Sequence, residues 1–93
     1  MEHNTVLPFG TRIVLAQVDM FGWLGRDHHP EPSDVGFVGV VVGNCLFSPD
    51  DDSDCKENVL GGTELTEEHA VCYTVVDGTG RKLEVMNFEL EVV

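Results

Sequence analysis

The nine residues VGFVGVVVG at positions 35–43 decide the fold class of this 93-residue chain. Five valines and a phenylalanine supply β-branched and aromatic side chains, which fit a pleated surface and crowd a helical one. Gly36, Gly39 and Gly43 punctuate the run and predict bends, bulges or close backbone approach within it. The stretch reads as a strand in the middle of a sheet.

Toward the N-terminus, RIVLAQV at 12–18 alternates Ile13, Leu15 and Gln17 with Val14, Ala16 and Val18, the pattern of a second strand. Between the two strands, Gly22, Gly25, Pro30 and Pro32 block helix and strand alike. Residues 19–34 are therefore expected to form a long loop, with Met20, Phe21, Trp23 and Leu24 as its hydrophobic base.

Toward the C-terminus, residues 44–69 carry SPDDDSDCKEN and GGTELTEEH. Turn residues and acids deny this second loop a core face, with Leu46, Phe47, Val59 and Leu60 pinning its ends. Thr63, followed by Glu64, Glu67 and Glu68, has the cap and acids of one helical turn at 63–69. AVCYTVVD at 70–77 is a third strand, and Asp77-Gly78-Thr79-Gly80 is a tight hairpin turn. Residues 81–86 return as a fourth. In the last strand, 88–92, alternation predicts Phe88, Leu90 and Val92 inward and Glu89 and Glu91 outward.

Five short strands separated by two long loops, a tight distal hairpin and a brief turn resemble the order of an SH3-like β-barrel. Two local segments are similar as well. Ala16-Gln17-Val18-Asp19-Met20 resembles the A-L-Y-D-Y segment of SH3 domains, and Asn87-Phe88-Glu89-Leu90 resembles the closing N-Y-V segment. The resemblance implies a single all-β domain over residues 1–93, a five-stranded SH3-like barrel with long acidic loops. It does not imply the family's proline-peptide ligand. Ala70-Val71-Cys72 begins the third strand where the groove tryptophan would stand, and Val18 and Met20 replace the tyrosines, leaving Phe21 and Trp23 as groove aromatics.

Charge narrows the function. Seventeen Asp and Glu against five Lys and Arg give a formal net charge of −12. Such a surface repels phosphate backbones and anionic lipid, so no direct nucleic acid and no membrane partner are expected. No apolar run reaches the ~20 residues of a membrane span, and a soluble, cytoplasmic protein is the expectation. The three cysteines, Cys45, Cys55 and Cys72, are odd in number and form no C-x-x-C pair, and are read as reduced thiols.

The acid loop is the leading candidate for function. Asp50, Asp51, Asp52, Asp54, Glu57, Glu64, Glu67 and Glu68 stand against one lysine between Asn44 and Ala70. Like charges this dense face water or a cationic partner. Asp27, Glu31 and Asp34 from the first loop would add to the same field, and Trp23 or Phe21 would supply a buried anchor. The expectation is a non-enzymatic protein-interaction module that docks on a basic partner. Its sharpest form is an inhibitor of the phage type that mimics nucleic acid; its bland form is a loop that only solubilises.

Other chemistries are weaker. Asp50, Asp52 and Asp54 have the D-x-D-x-D spacing of a calcium loop, yet Cys55 replaces the turn glycine and Gly61 replaces the bidentate acid. Asp27, His28 and His29 offer a transition metal too few convergent ligands, although a metal-binding or accessory subunit of a larger assembly is the alternative reading. Cys72 with His69 lies three residues apart on extended backbone, facing opposite ways, so neither a catalytic pair nor a cofactor is expected.

Overall fold

A computed structural model describes residues 5–18, 28–47, 56–65 and 70–93. Its elements are β1 (Arg12–Leu15), a 3-10 turn (Pro32–Asp34), β2 (Val38–Phe47), β3 (Lys56–Glu57), β4 (Ala70–Val76), β5 (Lys82–Met86) and β6 (Leu90–Val92). The chain is all-β. All strand pairs are antiparallel in one six-stranded sheet of order β5-β4-β2-β1-β6, with β3 paired to β2 off that path. The sequence predicts five strands and the described residues form six, with the two-residue β3 as the addition.

β2 organises everything else. Its first half pairs with β1, Arg12 to Val40 and Val14 to Val38, while the stretch from Val40 onward pairs with β4 as far as Phe47 and Ala70. Val40 thus faces both neighbours. The register advances two residues on β2 from Val41 to Gly43 but one on β4 from Val75 to Thr74, so Val42 is a bulge that bends the strand. Gly39 permits the crossing: a Cβ there would stand 2.7 Å from the Val76 carbonyl oxygen. No side chain fits that approach.

The inward face is formed by Ile13 and Leu15 of β1, Val41 and Leu46 of β2, Val71, Tyr73 and Val75 of β4, Leu83 and Val85 of β5 and Leu90 of β6, with Val6 and Leu7 closing the cluster. Each fully buried aliphatic side chain contributes roughly 2 kcal/mol. Tyr73 brings a polar atom into this core, and the Leu7 backbone N–H satisfies it by donating to the Tyr73 hydroxyl oxygen at 2.9 Å. Burial pushes the Tyr73 phenol above its ordinary value.

Three expectations are corrected. β2 runs on through Phe47, four residues beyond the predicted end at Gly43, because β4 offers a partner for each added residue. Asn44 and Leu46 are therefore buried rather than in a loop. Glu89 is fully buried, not outward, while Phe88 is exposed. Residues 87–89 are a turn rather than strand, so alternation does not apply; the Glu89 carboxylate folds back to accept the Met86 N–H at 2.8 Å. In the segment predicted as a helical turn, Glu64 instead bridges Thr5 in extended pairing, and residues 66–69 lie outside the described residues.

Candidate interaction site: the β2–β3 hairpin

β2 and β3 form a hairpin whose connection, residues 48–55, carries Asp50, Asp51, Asp52 and Asp54. Those four residues, together with Asp27, Phe21, Trp23, Glu67 and Glu68, lie outside the described residues. What is described is the root. Cys45 pairs with Glu57 and Leu46 with Lys56. Both β3 side chains are exposed, so Glu57 is presented to solvent at the base of the acidic connection.

A buried amide secures that root from the core side. Asn44 sits inward on β2 opposite Tyr73. Its side chain treats the returning chain as a sheet would: Nδ2 donates to the Val59 carbonyl at 2.9 Å and the Val59 N–H donates to Oδ1 at 2.7 Å. The Asn58 N–H adds a bond to the Asn44 carbonyl at 2.8 Å, with Asn58 itself at φ +56°, a conformation that asparagine tolerates. Beyond Val59, Gly62 and Thr63 bond to Val6, and Gly61 lies so close to Pro8 that a Cβ would meet its Cα at 2.5 Å. Two half-buried polar contacts and an N-terminal clamp thus fix the root of the acidic hairpin.

The cysteines differ from expectation. Cys45 is disulfide-bonded, whereas Cys72 is buried with its thiol 3.9 Å from Glu84 Oε2. The reading of three reduced thiols is overturned at Cys45. No local sequence signal marks Asn44, whose role depends on a carbonyl fifteen residues away.

The described acids of the first loop, Glu31 and Asp34, are not gathered at this hairpin. Asp34 caps the Glu31 N–H at 2.9 Å and receives the Arg81 guanidinium at 2.6 Å. The Asp34 side chain is only 9% exposed. The backbone hydrogen bond from Glu31, then the Arg81 bond, hold the Asp34 carboxyl below the usual carboxylate range. Arg81 also lies 5.9 Å from the centre of the Phe37 ring. Arg81 precedes Lys82, which pairs with Val76, itself opposite Val40. Val40 and Leu46 are six residues apart on β2, a run of up to about 20 Å along the strand. Asp34 is therefore an internally paired carboxylate toward the other end of β2, next to exposed Glu31.

The histidines are tied to the chain as well. The His28 backbone pairs with Glu84, accepting from its N–H at 2.9 Å, and His29 Nδ1 lies 2.6 Å from the Pro30 carbonyl oxygen. Among the described residues, no group of three or more His, Cys, Asp or Glu side chains is placed to hold a metal ion, and no helix is long and apolar enough to cross a membrane. His69, the other half of the Cys72 pair considered above, lies outside the described residues. Comparison with family models, curated proteins and solved structures finds no match for the chain.

Proposed function

We propose that this chain is a non-enzymatic interaction module on an SH3-like barrel, which presents the β2–β3 hairpin as an acidic prong to a basic protein surface such as a nucleic-acid-binding groove. The barrel part of the reading is supported by the strand path: β1, β2, β4 and β5 follow one another as a meander and β6 returns to β1. A bent β2 shared by both halves is the device that lets such a sheet curl.

One observation carries the functional part. The connection with four aspartates and no basic residue is rooted by ladder pairing and by a buried asparagine. A loop that only solubilises needs charge but not a fixed root. A fixed root limits where the connection can emerge, and a run of carboxylates steers a basic partner electrostatically. Glu57 extends the same field, while Asp34 serves the fold.

The test compares wild type with the Asp50→Asn, Asp51→Asn, Asp52→Asn, Asp54→Asn variant in affinity capture from nuclease-treated lysate, followed by association kinetics with the captured protein. A basic protein retained by wild type alone, with an association rate that falls steeply as salt rises, is the expected result. Equal retention by both, or a rate indifferent to salt, would return the aspartates to a solubilising role.

A further inference from the structure

The solvent face of the sheet carries a pattern opposite in charge to the rest of the chain. Arg12 of β1 stands opposite Val40 of β2, Val40 opposite Val76 of β4, and Val76 opposite Lys82 of β5. Opposed residues of antiparallel strands project from the same face. These four side chains therefore form one rung across four strands, with a cation at each end. Their sequence neighbours Ile13, Val41, Val75 and Leu83 belong to the buried core, so the rung faces outward.

The centre of the rung is apolar and uncovered. Val40 is 36% exposed, and Val38 and Val42 on either side of it along β2 are 41% and 46% exposed. Val14 pairs with Val38 and is half-buried beside it. The solvent face of an antiparallel strand ordinarily alternates to polar residues, yet β2 has valine at three such positions. Scattered apolar residues on a surface need no explanation, whereas a contiguous row marks an interaction surface. The flanking cations are uncommitted as well. Arg12 and Lys82 are exposed, and neither has a carboxylate partner among the described residues, although the chain holds seventeen acids against five Lys and Arg. The neighbouring Arg81 is by contrast bound to Asp34.

We propose that the Arg12–Val40–Val76–Lys82 rung, with Val38 and Val42, is a docking surface for a short acidic segment of another protein, one whose apolar residues are flanked by carboxylates. Charge selects that occupant. A basic segment would be repelled at both ends of the rung, and a wholly apolar one would strip water from two cations without replacing it. Carboxylates at the ends pair with Arg12 and Lys82 while apolar side chains cover the valines. The outer strands of the rung stand about 14 Å apart, a span of about four extended residues. A second copy of the chain fits less well. A stable pair needs about 800 Å² from each partner, more than a row of three exposed valines offers, and two chains of net charge −12 repel each other. The surface uses none of the aspartates of the acidic hairpin and has the opposite charge preference.

The test selects a random dodecapeptide library on the wild-type chain and counter-selects it on the Arg12→Glu, Lys82→Glu variant. Peptides drawn to the acidic hairpin bind both proteins and are removed, so the outcome is separate from that of the hairpin reading. Surviving peptides are expected to place Asp or Glu on both sides of apolar residues and to bind the variant about tenfold more weakly. Added to isotope-labelled wild type, they should move the amide signals of 12–14, 38–42, 74–76 and 82–84. No survivors, survivors without acids, equal binding to the variant, or shifts centred elsewhere would overturn the proposal. So would a wild-type chain that sediments as a dimer through these same residues. Both substituted side chains are exposed; should the double reversal still disturb the fold by circular dichroism, Arg12→Gln, Lys82→Gln serves as the counter-selecting protein with the same outcomes.

Discussion

The two hairpins of the sheet are held by opposite means. The β4–β5 turn is secured from within the five residues Asp77 to Arg81. The Asp77 carboxylate accepts from the Thr79 N–H at 2.8 Å, the Thr79 hydroxyl at 2.6 Å and the Arg81 N–H at 3.0 Å, and Gly80 supplies the φ of +88°. The β2–β3 hairpin takes its security from elsewhere: from Asn44 reaching Val59 and from the N-terminal segment bonded to Gly62 and Thr63. A local turn stores its instructions in adjacent residues, whereas a long acidic connection has to borrow its anchor from the core.

That difference can be broken most severely at Asn44. Asn44→Ala strands the N–H and carbonyl of Val59 at a half-buried site, and the expected loss is about 3 kcal/mol of stability, read as a lowered denaturant midpoint. A loss near zero would show that the distant anchor is dispensable. Gly39→Ala attacks the other hairpin from below, since the new methyl collides with the carbonyl of Val76, the last residue before the turn. About 2 kcal/mol is expected, with the largest chemical-shift changes at 76–81 rather than 56–65.

Gly80→Ala tests the local turn itself. The positive φ costs a β-carbon about 1 kcal/mol, and hydrogen exchange should quicken at 77–82 while the β2–β3 root stays protected. Acid is the mildest probe. Asp77 is held below the ordinary 3.8 chiefly by the Thr79 hydroxyl, and Asp34 by the Glu31 backbone and Arg81. A depressed native value means that the stabilisation is complete above the unfolded-chain value and fades as pH falls through the lower native one. A melting series from pH 6 downward should therefore decline below about pH 4, with a shallower decline in Asp77→Asn.

These contrasts explain which parts of the molecule were legible in advance. Asp-Gly-Thr-Gly announced its turn, and the residues of β4 and β5 announced their strands, because each signal lies within a few neighbouring positions. Asn44 carried no such announcement: a polar residue after a glycine reads as the start of a loop until the partner strand is known to continue beside it. Glu89 was misread for a related reason, since its carboxylate answers a backbone N–H exposed by a turn that alternation does not foresee.

The sequence by itself determined that the chain is all-β, where most of its strands lie, and that its charge is concentrated in acids. Valine-rich alternation, glycine turns and an aspartate run are properties of adjacent residues. Only the tertiary structure decided that β2 bends through a bulge at Val42, that Asp34 is spent on Arg81, that Asn44 anchors the acidic hairpin, and that Cys45 lies opposite Cys72. Each of these depends on the register between strands distant in sequence. That register is set by burying Tyr73, Val75 and Leu46 together, an outcome of packing that no single stretch of the chain contains.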